Sequence, residues 1–503
     1  MSYVGAALAV HAAARPDTLA LTCGERQFTW SALETDIRAL ATAVAGALAA
    51  SGAPLPFDGR EPLVRQSRVA LDLSDPLALL IAFLAVARAG AIALVLDPAW
   101  TPQRKQAVRA ATSPALVLDA DTLGALATGC VTASLPADPA PEHLFYAGFT
   151  SGSTGEPKGY ARSHRSWTES FALSQQTFAI GPQDHVLVPG GLAHSLHLYG
   201  AVEALVAGAR VTLAEAFQPG RLARLLASAE ITVLYATPTQ LVLMQREIDR
   251  RQLGLPRLRL CLCSGSAWGA GEKAALRASL PSTRLAEFYG ASEMSFITLN
   301  ADPHPAPPGS VGRPFPGVEL TILDDADAPV AAGQTGTIHV RSPLLYSGYI
   351  CGGGDEVRWR DGYLTVGDRG WLDADGHLYL AGRDKRMFVS AGLNLFPEEV
   401  EQVLRSLSGV AMAAVFGAPD RWRGRVPVAA ILPASAEETD PSALRRACLA
   451  ALGRARCPRR FHLFEAFPLT SGGKIDLPAL EQMVLVREGA RDHLLLQGRP
   501  VAP

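Results

Sequence analysis

Short apolar runs alternate with helix-length amphipathic stretches through most of this chain. The runs HVLVP, ARVTLAEA, ITVLYATPTQ and LRLCLCSGS are each followed by a segment long enough for a helix. This alternation predicts parallel sheets covered by helices. The longest apolar run, LALLIAFLAVA from Leu77 to Ala87, stops at Arg88 and is too short to span a bilayer. We interpret it as a buried helix, followed by a strand in AIALVL.

The pattern changes twice toward the C-terminus. After about Asn300, the segment ADPHPAPPGSVGRPFPG is rich in proline and glycine, and the short β-like runs VELTILDD and GTIHVRS follow it. These features predict a small β module. From FPEEVEQVL onward the pattern is that of a compact α+β unit. We therefore predict a large α/β N-terminal domain over residues 1–383, with parallel sheets and the β module, and a small α+β C-terminal domain over residues 384–503.

The charge balance argues against two classes of partner. The 503 residues carry 46 basic and 48 acidic side chains, a net charge of −2, which gives no electrostatic case for nucleic acid or an anionic membrane. Basic residues gather locally in RARCPRR, Arg454 to Arg460. This cluster is either a solvated face near a helix end or a docking patch for an acidic partner, and the sequence leaves both open.

The cysteines and the N-terminus indicate the compartment. Seven cysteines are scattered along the chain, and the one close pair, Cys261 and Cys263, has the spacing of one face of a strand. We interpret this pair as core packing, and free thiols fit a reducing compartment. The first residues, MSYVGAALAVHAAARPD, lack a basic n-region and predict an amphipathic helix better than a signal peptide. We expect a cytoplasmic protein without a transmembrane segment.

One stretch, FTSGSTGEPKG from Phe149 to Gly159, concentrates glycines, hydroxyl side chains and a lysine. Glycine permits the positive φ angles with which successive backbone N–H groups turn toward an anion. The hydroxyls add donors and Lys158 adds a charge, so the stretch predicts a phosphate cradle. It is not a Walker A loop, because Pro157 stands before the lysine and starts a helix poorly there. A mobile, hairpin-like clamp fits better, and a flexible surface turn is the alternative.

TSGSTGEPKG resembles the phosphate loop of the adenylate-forming superfamily, which includes acyl-CoA synthetases, luciferases and peptide-synthetase adenylation domains. Further matching stretches follow in the family's order over nearly the whole chain. These are EFYGASE (Glu287 to Glu293), GYLTVGDRGWLDADGHLYLAGRDKR (Gly362 to Arg386), SAGLNLFPEEVE (Ser390 to Glu401) and PLTSGGKID (Pro468 to Asp476). Within the superfamily, the chain is most similar to bacterial acyl-CoA synthetases of the fatty-acid–CoA ligase kind.

The resemblance implies a reaction in two halves. A carboxylate attacks the α-phosphate of ATP to give an acyl-adenylate and pyrophosphate, and a thiol then displaces AMP. The first half brings two anions together and therefore needs positive charge in the site. The resemblance makes Lys474, next to Gly472 and Gly473, the adenylation lysine, and we place Lys158 with it as a catalytic candidate.

The resemblance also implies the nucleotide and metal ligands. Glu293 is the candidate magnesium ligand, with Thr154 as a partner for metal or phosphate. Asp368 and Arg383 are expected to reach the ribose, and Tyr289 to stack on adenine. The full nucleotide set is Thr150, Ser151, Gly152, Ser153, Thr154, Gly155, Ser264, Gly265, Ser266, Tyr289, Gly290, Ala291, Ser292, Asp368 and Arg383. The chain departs from the family pattern at Val366, which is inserted in the usual TGD, and at Asp384, a displaced acid.

The small C-terminal domain is expected to act as a mobile lid. Lys385 falls at the family's hinge position, about which the lid rotates between the half-reactions. That rotation withdraws Lys474 and brings Gly392 toward the site, where a bare backbone can border a tunnel for the pantetheine thiol.

His194 in PGGLAHSLHLYG lies where family members often carry a histidine beside the acyl pocket, and we place it among the catalytic candidates. A buried core histidine is the alternative, and His197 and Tyr199 are weaker candidates for the same wall. Relatives that activate amino acids carry an aspartate near this position, whereas Ala193 to Ser195 offer no carboxylate. The segment therefore favours a simple carboxylic acid, aliphatic or aromatic.

Three functions remain open from the sequence. The first is an AMP-forming acid–thiol ligase that uses ATP, Mg²⁺ and coenzyme A. The second keeps adenylation but loads the phosphopantetheine of an acyl carrier protein. The third is a non-catalytic nucleotide-binding protein, which the joint presence of Lys158, Glu293, Asp368, Arg383 and Lys474 disfavours. Luciferase-type oxygen chemistry is compatible with the motifs but needs a special acid.

Overall fold

The structure is a computed structural model. It describes residues 2–52, 66–128, 134–151, 157–228, 230–266, 268–354, 357–390, 392–407, 409–420, 424–434 and 440–496. The helices are α1 (Ala6–Ala14), α2 (Trp30–Ala50), α3 (Pro76–Arg88), α4 (Pro102–Thr112), α5 (Ala120–Thr128), α6 (His164–Phe178), α7 (Ser195–Val206), α8 (Pro219–Ser228), α9 (Pro238–Arg251), α10 (Ala270–Ser279), α11 (Pro397–Arg405), α12 (Pro441–Arg456) and α13 (Leu477–Leu496).

The strands fall into four sheets. In chain order they are β1 (Leu19–Cys23), β2 (Arg26–Thr29), β3 (Arg68–Leu71), β4 (Ile92–Val95), β5 (Leu116–Leu118), β6 (Leu144–Ser151), β7 (Pro157–Ser163), β8 (His185–Val188), β9 (Arg210–Leu213), β10 (Val233–Ala236), β11 (Leu260–Cys263), β12 (Arg284–Ala291), β13 (Ser295–Ala301), β14 (Arg313–Pro314), β15 (Glu319–Leu323), β16 (Gly336–Arg341), β17 (Gly348–Cys351), β18 (Arg358–Arg360), β19 (Tyr363–Thr365), β20 (Asp368–Leu372), β21 (Leu378–Arg383), β22 (Phe388–Ser390), β23 (Leu393–Leu395), β24 (Val410–Asp420), β25 (Gly424–Pro433) and β26 (Arg460–Leu463).

Two large mixed sheets form the N-terminal part. One has the strand order β14-β13-β12-β11-β10-β8-β9-β1-β2 and the other β17-β7-β6-β4-β3-β5. The strands from β12 through β1 pair in parallel, as do those from β5 through β6, and the remaining pairs at the edges are antiparallel. The prediction of parallel sheets covered by helices is therefore confirmed for the interior strands.

The predicted buried helix is α3. Pro76 occupies its first turn, the Asp75 side chain accepts a hydrogen bond from the N–H of Ala78, and nine of its thirteen residues are buried. Cys261 and Cys263 are both fully buried in β11 and pack in one apolar cluster, as the spacing predicted. Among the described helices, none combines the length and apolar character that crossing a membrane requires.

The C-terminal third contains the two smaller sheets. The predicted β module is the antiparallel sheet β18-β19-β16-β20-β21, with β15 paired to β16. The α+β unit is the sheet β23-β22-β25-β24, with β26 parallel to β25 and with α11 and α13 against β24. The chain passes from one sheet to the other between Arg383 and Phe388. The boundary at residues 383 and 384 agrees with this passage and stays a prediction, whereas the fold class is confirmed.

Candidate active site

The lysine loop, residues 468–476, is a tight turn whose own backbone shapes it. The N–H of Thr470 donates to the carbonyl oxygen of Lys474 at 2.8 Å, and the N–H of Gly473 donates to that of Thr470 at 2.9 Å. Gly473 has φ +73°, a conformation that a residue with a side chain rarely adopts. Gly473 thus lets the chain reverse directly before the lysine.

This loop docks on the N-terminal part through its backbone. The N–H of Gly191 donates to the carbonyl oxygen of Ser471 at 2.8 Å, and the Thr237 hydroxyl donates to that of Gly473 at 2.8 Å. The approach is close enough that a Cβ built on Gly473 would lie 2.2 Å from Nε2 of Gln240. The loop therefore fits this cleft only with glycine at that position.

The Lys474 side chain is buried in the cleft. A Cβ built on Gly265 would lie 2.6 Å from Cε and 3.1 Å from Nζ of Lys474, so the ammonium group rests on the bare backbone after β11. Among the described residues, no carboxylate lies within ion-pairing distance of Nζ. Burial, with a smaller contribution from the Arg383 guanidinium, lowers the pKa of Lys474 to about 8. Within the described part of the chain, the ammonium therefore has no carboxylate partner, which suits an anionic ligand.

The structure brings together the three residues predicted to bind adenosine. Asp368 and Arg383 face each other across β20 and β21, and Arg383 Nε lies 2.7 Å from Asp368 Oδ1. The Tyr289 hydroxyl donates to Asp368 Oδ2 at 2.5 Å. Burial and the adjacent Asp368 carboxylate raise the pKa of Tyr289. At the inserted Val366, the Thr365 hydroxyl accepts a hydrogen bond from the N–H of Gly367 at 3.2 Å. This hydroxyl therefore stabilises the turn in which it lies.

Glu293, the candidate metal ligand, is buried in the turn between β12 and β13. The Tyr349 hydroxyl donates to its Oε1 at 2.9 Å, which engages one of the two carboxylate oxygens. A Mg²⁺ ion is usually held by one or two carboxylates together with phosphate oxygens, so this residue fits such a site. Its predicted partner Thr154 lies outside the described residues.

Sequence reasoning missed Arg162, a fully buried guanidinium in β7. It donates to the carbonyl oxygens of Ser292 at 3.1 Å and Leu344 at 2.7 Å, and so fixes the segment that carries Glu293. Burial lowers the pKa of Arg162 to about 10. The available signal was an arginine inside the segment GYARS, whose other residues are small or aromatic.

The glycine-rich stretch is described only at its two ends. Strands β6 and β7 form an antiparallel hairpin in which Thr150 faces Lys158 and Ser151 faces Pro157. Lys158 is buried in β7. The remaining members of the predicted cradle lie outside the described residues, namely Gly152, Ser153, Thr154 and Gly155. The hairpin geometry of the flanks agrees with the prediction.

The other predicted nucleotide residues follow the ends of parallel strands. Ser264 is buried directly after β11, and Gly265 and Ser266 are exposed beside it. Partly buried positions at the end of β12 and in the turn before β13 are Gly290, Ala291 and Ser292. In open α/β sheets, ligands bind outside the carboxyl ends of the strands, and this edge is where the Lys474 ammonium also lies.

The hinge and tunnel candidates lie outside this cleft. Lys385 is exposed between β21 and β22. Gly392 is exposed in the turn between β22 and β23, with φ +82° and no other atom within 4 Å of a Cβ built there. The structure therefore places Lys474, and not Gly392, in the cleft.

His194 contacts the lysine loop and a carboxylate that the sequence did not indicate. Its Nε2 lies 3.0 Å from Ser471 Oγ and 3.6 Å from Asp97 Oδ2, and the Ser471 hydroxyl donates to that same oxygen at 2.8 Å. The segment 193–195 carries no carboxylate, but the fold supplies Asp97 from the loop after β4. Only a three-dimensional arrangement could reveal this contact.

The two weaker candidates on α7 are core residues. His197 is fully buried, its Nε2 lies 3.1 Å from Gln240 Oε1, and burial lowers its pKa to about 3, so the ring is neutral. Tyr199 packs its ring against the aromatic rings of Trp167, Phe171 and Phe296 at centroid distances of 5.2, 5.3 and 5.4 Å. The aromatic core around α6 and α7 accounts for its position.

Comparison with known proteins agrees with this arrangement. The family model described as AMP-binding enzyme matches residues 8–350, and the model of the AMP-binding enzyme C-terminal domain matches residues 399–474. This chain belongs to the AMP-binding enzyme family. The prediction from the five motifs is confirmed.

Named relatives within the AMP-binding enzyme family are acyl-CoA ligases. The chain is 38% identical over 427 residues to an uncharacterized acyl–CoA ligase of Bacillus subtilis, YhfT, an alignment that covers 81% of this chain and 86% of the relative. It is 30% identical over 363 residues to sulfoacetate–CoA ligase of Cupriavidus necator, covering 71% and 70% of the two chains. The prediction that the protein is an AMP-forming ligase of the acyl-CoA synthetase branch is confirmed by these relatives.

Solved structures of the AMP-binding enzyme fold superpose on nearly the whole chain. The anthranilate CoA ligase AuaEII in complex with anthranoyl-AMP gives a TM-score of 0.82 at 22% identity, covering 97% of this chain and 98% of that one. The amide bond synthetase McbA from Marinactinospora thermotolerans gives 0.78 at 26% identity, covering 95% and 99%. These similarities confirm the fold.

Proposed function

We propose that this protein activates a simple carboxylic acid with ATP and transfers the acyl group to coenzyme A. In the first half-reaction a carboxylate oxygen attacks the α-phosphorus, the bond from that phosphorus to the bridging oxygen of pyrophosphate breaks, and acyl-adenylate forms. In the second, the thiol sulfur bonds to the acyl carbon, AMP leaves with the bonding electron pair, and the thiol proton goes to solvent.

The observation that carries this proposal is the buried Lys474 ammonium on the backbone of Gly265. An ammonium held in a low-dielectric cleft by a docked loop is preorganised for negative charge, and it need not reorganise when that charge develops. No described carboxylate neutralises it. A non-catalytic nucleotide-binding protein would not need an unpaired buried cation, whose burial is itself costly.

Nucleotide recognition follows from the neighbouring side chains. Arg383 and the Tyr289 hydroxyl each contact one oxygen of Asp368, and the remaining lone pairs of that carboxylate can accept hydrogen bonds from ribose hydroxyls. Tyr289 would present its ring to adenine. Lys158 and the glycine-rich stretch supply donors for the phosphates. Glu293, with Thr154, would hold Mg²⁺, which supplies charge neutralisation on the phosphate oxygens.

The second half-reaction requires a different pose of the C-terminal unit. In this structure Lys474 fills the cleft and Gly392 is in solvent, which fits adenylation and leaves no role for Gly392. We infer a rotation about Lys385, between β21 and β22, that withdraws the lysine loop and presents Gly392 to the site for thiol attack.

Coenzyme A is the acceptor that the local charges favour. In the cluster from Arg454 to Arg460, Arg460 forms an ion pair with Glu488, and Arg456 lies 3.4 Å from Glu399. Cys457 and Pro458 are buried. Because two of the arginines are paired within the C-terminal unit, this cluster resembles a solvated face more than a docking patch for an acidic carrier protein.

We propose the class of the substrate acid, a simple carboxylic acid, and not its identity. The segment around His194 has no carboxylate of its own, and both oxygens of nearby Asp97 already accept hydrogen bonds from Ala99 and Ser471. Because Asp97 is already engaged by its own turn and by the lysine loop, it is a poorer anchor for a substrate ammonium, which favours an acid without an amino group.

The test is pyrophosphate release measured over a panel of aliphatic, aromatic, dicarboxylic and α-amino acids, first without and then with coenzyme A. We expect release with at least one simple acid, a stimulated rate with coenzyme A, and an acyl-CoA thioester as product. Release that is confined to α-amino acids, or no release with any acid, would contradict the proposal. Thioester formed on an acyl carrier protein but not on coenzyme A would favour the carrier-loading alternative.

A further inference from the structure

We propose that Asp97, Ser471 and His194 form a latch that holds the lysine loop in its adenylation pose and must open before thiol transfer. The latch rests on the proposed function, since it selects between the two half-reactions. Ser471 belongs to the lysine loop, whereas Asp97 and His194 belong to the N-terminal part. The three side chains therefore join the two parts that must separate.

Asp97 is fixed before the loop arrives. It follows β4, and its Oδ1 accepts a hydrogen bond from the N–H of Ala99 at 2.9 Å, beside Pro98. This local turn leaves Oδ2 directed at Ser471 Oγ, 2.8 Å away. The side chain is 13% exposed. The carboxylate thus forms a preorganised acceptor on the rigid edge of a parallel sheet, and no rotamer search is needed when the loop docks.

The proton count determines the direction of each hydrogen bond. A serine hydroxyl has one proton, and an ionised carboxylate can only accept. Ser471 therefore donates to Asp97 and accepts from Nε2–H of His194, 3.0 Å away. This arrangement is not a nucleophilic triad, in which the histidine accepts the serine proton. The three side chains therefore attach the lysine loop to the N-terminal part, mainly through the hydrogen bond from the Ser471 hydroxyl to the ionised Asp97 carboxylate.

The same attachment opposes the second half-reaction. Hydrogen bonds to ionised groups are stronger than neutral ones, so the latch favours the docked pose. A rotating lid must break it, together with the backbone bond from Gly191 to Ser471. Weakening the latch should therefore shift the population away from the adenylation pose without damaging the site used for thiol attack.

The experiment compares Ser471→Ala, Asp97→Asn and the double variant. Pyrophosphate release without coenzyme A measures adenylation, and conversion of supplied acyl-adenylate by coenzyme A measures thiol transfer. We expect each single variant to lose about tenfold in adenylation, as loss of one charge-assisted hydrogen bond implies, while thiol transfer stays level or rises. The double variant should lose clearly less than the product of the two single losses, because the contact between Ser471 and Asp97 is broken in both single variants.

Controls and a second measurement separate the latch from the proposed function. Ser406→Ala removes a hydroxyl that donates to Val403 at the end of its own helix, and Asp121→Asn neutralises an exposed acid in α5. Ser471→Thr keeps the hydroxyl and should restore adenylation. Hydrogen–deuterium exchange of the peptide containing Gly191, whose N–H crosses the interface, should quicken about tenfold in the latch variants and not in the controls.

The outcomes are distinguishable. Equal losses in both half-reactions, a multiplied loss of about a hundredfold in the double variant, or unchanged exchange at Gly191 would overturn the latch. Suppose that the wild type activates no acid, but hydrogen–deuterium exchange at Gly191 is still faster in the latch variants. The proposed function is then wrong, whereas the latch still holds the C-terminal unit against the N-terminal part.

Discussion

The C-terminal unit carries two glycine turns with nearly the same backbone and opposite surroundings. Gly473 has φ +73° and Gly392 has φ +82°. A Cβ on Gly473 would lie 2.2 Å from Gln240, whereas one on Gly392 would meet nothing within 4 Å. The Gly473 turn packs in the cleft together with Lys474, and the Gly392 turn is exposed to solvent. In this structure one of the two turns enters the cleft, and packing, not turn chemistry, distinguishes them.

The strongest test of this asymmetry removes the cation from the docked turn. We expect Lys474→Ala to lose on the order of 10²–10³-fold in adenylation, the size of one preorganised electrostatic group. Transfer from supplied acyl-adenylate to coenzyme A should be nearly unaffected. Lys105→Ala is the matched control, since the Lys105 ammonium forms its own ion pair with Asp72 at 2.7 Å. Pyrophosphate exchange at the wild-type rate in Lys474→Ala would refute its role.

Matched alanine substitutions compare the two turns directly. Gly473→Ala adds a methyl group that clashes with Gln240 and strains the turn, and we expect a loss on the order of 10²-fold in adenylation. Gly392→Ala strains the backbone at a positive φ but causes no clash. We therefore expect adenylation to stay within about twofold of the wild-type rate, while thiol transfer falls about fivefold. Separate half-reaction rates provide the measurement. Equal losses of the two variants in both half-reactions would show that the two glycine turns do not have different roles.

The burial of Lys474 predicts a pH dependence. Its pKa is lowered from 10.5 to about 8, so the free enzyme loses the ammonium proton as pH rises through 8. We expect kcat/KM for ATP in adenylation to fall about tenfold per pH unit above that value, and Lys474→Arg to move this limb upward. Stability should change in the opposite sense, because the unfolded state holds more protons between pH 8 and 10.5, so the free energy of unfolding rises there.

The smallest effect is expected at the hinge. Proline at Lys385 fixes φ where the lid is proposed to turn, and we expect Lys385→Pro to slow one half-reaction about threefold to tenfold more than the other. Ala374→Pro is the control, because Ala374 is exposed at the second position of the turn closed by the hydrogen bond from the Gly376 N–H to Asp373, outside the passage between the sheets. Equal losses in both half-reactions would argue against rotation about this residue.

Much of the fold followed from local pattern. The runs HVLVP, ARVTLAEA and LRLCLCSGS became β8, β9 and β11, and the apolar run from Leu77 to Ala87 became the buried helix α3. The edges of the large sheets differed, because antiparallel hairpins such as β6–β7 and β12–β13 close sheets whose interior is parallel. A periodicity of two reports a strand but not the direction of its neighbour.

The candidate site was predictable only in part. The motifs indicated Lys474, Asp368 and Arg383, and the fold brings them to one cleft. The contacts of Asp97 with Ser471 and of Arg162 with Ser292 had no motif, since each partner is ordinary in its own segment. Contacts of that kind join residues 374 and 130 positions apart in the chain.

The sequence by itself determined the alternation of strands and helices, the turns that only glycine permits, and the charges available for adenylation. These properties depend on neighbours in the chain and on side-chain chemistry. The tertiary structure decided which of the two glycine turns enters the cleft, that Tyr289 donates to Asp368, and that a carboxylate meets His194. Such contacts depend on how the sheets and the C-terminal unit pack, and packing is set by the shapes of all the surfaces together.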